Sequence, residues 1–276
     1  MKRNILLLLF TAIVAINANA AKVDTVETYS DAMKKKIKAV VITPDNYSSG
    51  SQYPVVYLLH GATGNYTDWV KKATGVPNYA DKHNLIIVGV DGGFTSWYWD
   101  SPVDPTFKYE TYVSKELIDY IDKNYKTIKN RTGRAITGLS MGGHGGLYLG
   151  IRHQDLYGVA GSMSGGVDIR PFPNNWDMAK RLGSLKDNAE TWDKYTVTNQ
   201  LDLLKPNSLA IIFDCGTDDF FYKVNVELHD KLLERKIPHD FIVRPGAHNW
   251  TYWTNSVAYQ MLYFSNYFKK NNSPAK

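Results

Sequence analysis

The chain of 276 residues carries 43% apolar and 21% charged side chains and a formal net charge of +5, the balance of a globular protein long enough to bury one sizeable core. It holds no low-complexity block, internal repeat or Pro/Ser linker, so a disordered or repeat architecture is excluded and one domain is expected. A lone cysteine, Cys215, cannot form an internal disulfide and reads as a small buried residue. No His/Cys/Asp cluster has metal-ligand spacing, and neither a metal nor another cofactor is expected.

Residues 1–20 have the form of an export leader. Lys2 and Arg3 precede an apolar stretch from Ile5 to Ile16, too short to span a bilayer comfortably, and Ala18-Asn19-Ala20 forms a small-residue cleavage site. The expected mature chain is residues 21–276, periplasmic or secreted and without stable membrane insertion. With Lys2 and Arg3 gone, the net charge falls from +5 to +3. Lys34-Lys35-Lys36, the one basic run, opens a predicted edge strand, where lysines discourage aggregation. Nothing beyond it supports nucleic-acid binding.

Along the rest of the chain, strands are predicted near residues 36–42, 55–59, 85–90, 135–138, 159–162, 209–213 and 241–243. Helices are predicted near 78–83, 109–125, 142–152, 222–235 and 253–268. Such alternation implies a mostly parallel sheet with helices on both faces, and active groups at the carboxyl ends of its strands. The stretch 164–204, with Pro171, Phe172, Pro173, Trp176 and Trp192 among polar residues, reads as an insertion over that face.

Gly138-Leu139-Ser140-Met141-Gly142 follows one of these strands and opens a glycine-rich helix. A Ser there sits on a sharp strand-to-helix turn, with its hydroxyl held above the sheet. A nucleophilic Ser of this kind is followed in the chain by an acid and then a His. His229 has helical spacing and His239 starts a strand, whereas His248, in Arg244-Pro245-Gly246-Ala247-His248-Asn249-Trp250, lies between the last strand and the last helix, where a triad His belongs. The acid comes from Asp214-Cys215-Gly216-Thr217-Asp218-Asp219-Phe220, read as the loop after the strand at 209–213. Asp214 is close enough to the strand to serve as a brace, and Asp218 and Asp219 are equal candidates on sequence logic. Oxyanion donors are expected at the amide after the nucleophile, Met141, and in the loop after the strand ending Leu59-His60-Gly61, at Ala62. His60 precedes the Ser in the chain and reads as a loop brace; His144, on the helix after the Ser, reads as packing.

These motifs together, Leu58-Leu59-His60-Gly61, Gly138-Leu139-Ser140-Met141-Gly142-Gly143, Cys215-Gly216-Thr217-Asp218-Asp219-Phe220 and Gly246-Ala247-His248-Asn249-Trp250, resemble the esterase D-like family. That group includes feruloyl and acetyl xylan esterases of carbohydrate esterase family 1, tributyrin-type esterases, S-formylglutathione hydrolases and mycolyltransferases. The resemblance runs from about Lys34 to Phe268 and implies an α/β-hydrolase fold. Its Gly-Thr-x-Asp pattern makes Asp219 the acid. Around the His, the family's usual Asp is here Asn249, which removes a charge but no triad member.

The resulting expectation is a serine carboxylesterase with Ser140, His248 and Asp219 as triad and no cofactor. The resemblance implies feruloyl or acetyl esters of plant cell-wall polysaccharide as substrates. Trp97 and Trp99, in a segment after the strand ending at Val90, and Trp250, after the His, are assigned to the substrate cleft, where rings stack on sugars or an aryl acyl group. Core packing is the alternative for these rings. Two other functions stay open: acyl transfer to a sugar, and non-catalytic carbohydrate binding on the same fold.

Overall fold

The computed structural model describes residues 20–48 and 50–272. The expected leader, apart from Ala20, lies outside the described residues. One eight-stranded sheet runs in the order β1-β2-β4-β3-β5-β6-β7-β8. Its strands are β1 (Lys22–Ser30), β2 (Lys35–Thr43), β3 (Val55–Leu59), β4 (Ile86–Val90), β5 (Arg134–Gly138), β6 (Val159–Met163), β7 (Ala210–Gly216) and β8 (Asp240–Arg244). β1 and β2 pair antiparallel, as do β2 and β4; all pairs from β4 to β8 are parallel. The architecture is the α/β-hydrolase one.

Alternation within the strands separates two cores. Val55, Tyr57 and Leu59 of β3 face one apolar layer, and Val56 and Leu58 face the other. The first layer takes side chains from α4 (Leu117–Asn124), α5 (Met141–Arg152), α7 (Ala189–Tyr195) and α8 (Tyr222–Glu234); the second takes them from α1 (Asp68–Lys72), α2 (Val76–His83) and α9 (Trp250–Asn272). Both faces of β3 and β4 are buried, which is why these strands read as unbroken apolar runs.

Three expectations need correction. The lysine run does not open an edge strand: β1 is the edge, and Lys34 sits at φ 51° in the turn between β1 and β2. β1 escaped prediction because its sequence, KVDTVETYS, is largely exposed and polar. The helix expected over 109–125 is broken into α3 (Tyr109–Thr111), a π-helical turn (Tyr112–Glu116) and α4. Finally, β7 continues through Asp214 and Cys215 to Gly216, so these residues are strand and not loop. Within 164–204, α6 (Met178–Leu182) and α7 are linked by turns, and two 3₁₀ segments, Val197–Asn199 and Leu201–Leu203, follow α7. Among the described residues no helix is long and apolar enough to cross a membrane.

Candidate active site

Ser140 occupies the turn between β5 and α5 at φ 56°, ψ −116°, a conformation that costs an L-residue free energy and that surrounding contacts must enforce. They do so from both sides. The Ser140 amide donates to the Met163 carbonyl (2.9 Å), and its carbonyl accepts from the His144 amide (2.9 Å). Gly142 lies so close to β3 that an added Cβ would stand 2.6 Å from the carbonyl oxygens of Leu59 and His60, so the tight elbow depends on glycine there.

The three residues singled out from separate loops meet in one relay. His248 Nε2 lies 2.9 Å from Ser140 Oγ, and His248 Nδ1 lies 2.8 Å from Asp219 Oδ2. Asp219 is fixed by its other oxygen, which accepts from the Phe221 amide at 2.8 Å. Asp218 is exposed on the same loop. The acid and His loops extend the β7–β8 pairing, with Thr217 N donating to Arg244 O (3.0 Å) and Asp218 N to Gly246 O (2.9 Å). Thus the sheet itself sets the spacing of acid and base.

The loop after β3 completes the surroundings of Ser140: a Cβ added at Gly61 would lie 3.3 Å from the Ser140 Cβ. The amides of Thr63 and Gly64 donate to the carbonyls of Phe94 (2.7 Å) and Gly61 (3.1 Å), which leaves the Ala62 amide uncommitted among the described residues. Met141 is the first residue of α5, where an amide has no carbonyl one turn behind it to bond. His60 braces this loop as its position suggested. It is fully buried; Nδ1 contacts the Gly61 carbonyl (2.7 Å) and Nε2 accepts from the Gly92 amide (2.9 Å).

Behind the relay a buried polar group ties the strands together. The side chain of Gln260, on α9, accepts from Thr137 Oγ1 on β5 (2.5 Å), and it donates to the Ser162 carbonyl on β6 (2.9 Å) and to Asp214 Oδ2 on β7 (2.7 Å). Asp214 also accepts from Ser256. Burial pushes the Asp214 carboxyl up to about 6 even against the hydrogen bonds of Ser256 and Gln260 and the charge of Arg244. Asp214 is a brace between strand and helix, whereas the partner of His248 Nδ1 is Asp219.

A cleft of about 400 Å³ opens over Ser140 and His248. Trp176, from 164–204, and Phe220 form one wall, stacked at 5.8 Å and 21°, with the Phe220 ring 4.2 Å from that of His248. Trp250 and Trp253 form another, their rings 5.5 Å apart at 87°. Lys72 stands at the rim, 5.3 Å above the Trp250 ring and paired with Asp68 at 3.0 Å. Trp176 and Phe220 were not assigned to the cleft from sequence, although Trp176 lies in the stretch 164–204 read as an insertion over that face.

Trp97 and Trp99, by contrast, are not in the cleft. Their exposures are 1% and 0%. Positive φ at Trp97 (55°) and Tyr98 (61°) turns the segment inward, so the two rings stack on each other at 5.5 Å and both meet His144 edge-on at 5.3 Å. Core packing, the alternative weighed for them, is what their burial supports.

His144 receives a hydrogen bond from Trp99 Nε1 at 2.8 Å and lies 3.0 Å from the Gly166 carbonyl through Nδ1. That pair of partners requires the neutral ring, with the proton on Nδ1. Complete burial pushes its pKa down to about 4, against a small opposing pull from Gly166. Since the folded value lies below the unfolded 6.5, this group's contribution to stability is present above pH 6.5 and is lost as pH falls toward 4. A shift of that size corresponds to about 3 kcal/mol. His144→Gln can keep both hydrogen bonds without titrating. The difference in unfolding free energy between this variant and wild type, from urea titrations, is expected to move in the variant's favour by a few kcal/mol between pH 6.5 and pH 4. A difference flat with pH would remove His144 as an acid-labile point.

Comparison with known proteins gives the family. The model of the family described as "Putative esterase" matches residues 30–264. The chain belongs to this esterase family. An esterase of Mycobacterium tuberculosis is 28% identical over 235 residues, covering 75% of this chain but 51% of its own length, so the chain spans about half of that relative. An acetyl esterase of Caldicellulosiruptor saccharolyticus is 26% identical over 257 residues, with 83% of this chain and 93% of that protein covered. Among solved structures, a ferulic acid esterase superposes with a TM-score of 0.78 at 28% identity, over 90% of this chain and 99% of that one. Within this family's fold, the groups to be tested for chemistry are Ser140, His248 and Asp219, which converge in one relay.

Proposed function

We propose that this esterase is an exported serine carboxylesterase that cleaves feruloyl or acetyl esters of plant cell-wall polysaccharide. The observation that carries the mechanism is the continuous relay from Ser140 Oγ through His248 to Asp219. Ser140 attacks the ester carbonyl while His248 Nε2 takes its proton, and Asp219 holds the imidazole and stabilises the cation that forms. The amides of Ala62 and Met141 bind the oxyanion, each worth roughly 3 to 4 kcal/mol of barrier in comparable sites. His248 returns the proton to the leaving alcohol, and water releases the acid from the acyl-enzyme by the same steps in reverse.

The substrate class rests on the cleft. Two aromatic walls, Trp176 with Phe220 and Trp250 with Trp253, flank the nucleophile, and flat apolar faces suit an aryl acyl group or a sugar ring. The similarity to an acetyl esterase and a ferulic acid esterase supports the same choice. Export is read from the leader pattern of residues 1–20.

The test compares ferulate and acetate release from esterified xylan fragments, with 4-nitrophenyl acetate as the small-ester reference. Trp176→Ala and Phe220→Ala are each expected to lower kcat/KM on the feruloyl fragment roughly three- to tenfold, mainly through KM, with little change on the reference. Equal losses on both esters, or no release from either fragment by the wild type, would withdraw the polysaccharide reading.

A further inference from the structure

A second and larger cleft lies at the opposite end of the sheet. It measures about 940 Å³, more than twice the catalytic one, and reaches the first residues of β7 and β8, Ala210 and Asp240. Strands of this length hold that end roughly 15 Å or more from Ser140, so the cleft is no extension of the esterase site.

Its lining has an uneven charge. Five cations, Arg131, Lys205, Arg235, Lys236 and Lys270, face it against two carboxylates, Asp202 and Asp240. That surplus of three equals the net charge of the chain without Lys2 and Arg3, +3, so this one cleft accounts for the whole imbalance. Arg235 is paired with Asp202 at 3.3 Å. Among the described residues, no carboxylate lies within ion-pair distance of Lys205, Lys236 or Lys270. Lys236 adds an independent observation. It ends α8 at φ 55°, with its amide bonded back to Leu233 and that of Ile237 to Leu232. That is the helix-terminating position at which glycine is favoured, yet here it carries a long cationic side chain.

Tyr263 and Tyr267, one turn apart on α9, and the amides of Asn207 and Asn271 line the same cleft. Spaced cations, rings and amides in a volume of this size do not match a single small anion. We propose that this cleft binds a sugar chain bearing carboxylates, a uronate-containing oligosaccharide, as an anchoring site separate from catalysis. The choice of a sugar rests on the polysaccharide reading above; the choice of an anionic one rests on the cleft itself. Carboxylates pair with Lys205, Lys236 and Lys270, while sugar faces lie against the tyrosine side of the cleft.

Isothermal titration calorimetry of the full protein with tetragalacturonate, xylotetraose and inorganic phosphate tests this, because none of the three is an ester. Tetragalacturonate is expected to bind, with an affinity that falls as NaCl is raised, and xylotetraose and phosphate at least tenfold more weakly. Lys236→Gln with Lys270→Gln should weaken tetragalacturonate at least tenfold while 4-nitrophenyl acetate turnover is unchanged. Lys205→Gln, on an exposed loop, provides a second variant should the pair fail to fold, and should weaken it severalfold. No binding of tetragalacturonate, equal binding of xylotetraose or phosphate, or binding indifferent to the lysines would overturn the proposal. A lowered melting temperature with unaltered binding would assign the lysines to the helix ends instead. Absence of esterase activity in the wild type would refute the function proposed above without touching this measurement.

Discussion

Ser140→Ala is expected to lower kcat for 4-nitrophenyl acetate by roughly 10⁶-fold, the scale seen when a serine triad loses its nucleophile. The fold should be spared. Among the described residues Ser140 Oγ has a single hydrogen-bond partner, His248 Nε2, and the contacts that hold its unusual backbone, to Met163 and His144, are made by the main chain. Alanine keeps all of them. The check is steady-state turnover together with a thermal melt: an unchanged melting temperature and a lost activity are expected, and residual turnover above a few per cent of wild type would remove Ser140 from the mechanism.

Asp219→Asn should cost up to about 10⁴ in kcat, and the structure says why the amide would adopt the harmful orientation. One side-chain oxygen of Asp219 accepts from the Phe221 amide at 2.8 Å. An asparagine keeps its oxygen there and so turns its NH₂ toward His248 Nδ1. That nitrogen must then accept, the ring proton moves to Nε2, and the base can no longer receive the Ser140 proton. Asp218→Asn changes an exposed side chain and should alter kcat by less than about threefold. Comparison of the two variants on one substrate decides the acid, and a reversed order of effects would transfer the role to Asp218.

How far the sequence could be read depended on the range of the interaction. The elbow was legible because Gly138, Ser140 and Gly142 answer a local demand for close backbone packing, and the order Ser, acid, His limited the remaining choices. Asp218 and Asp219 were equal on chain order alone, and only the family resemblance favoured Asp219; in the fold, the Phe221 amide and the reach of His248 distinguish them. Asp214 looked like loop because a carboxylate rarely sits inside a strand; its partners Ser256 and Gln260 are supplied by a helix over 40 residues later. Trp97 and Trp99 were misplaced for a related reason. Their position after β4 suggested the cleft, but the left-handed turn at Trp97 and Tyr98 is not encoded in any glycine or asparagine. Trp176 and Phe220 meet across 44 residues of chain, a pairing no local rule reveals.

Gln260 gives the site a history as well as a geometry. The strand beneath Ser140 is bonded to it through Thr137 across 123 residues, and the Ser140–His248 contact itself spans 108. Closures of that range are among the slowest and latest to form in a folding chain. Until α9 docks, β5, β6 and β7 lack the side-chain tie that Gln260 adds to their backbone pairing. The strand that carries the nucleophile is thus held from beneath by the last helix among the described residues, a support that arrives only after all the sheet's strands are in the chain.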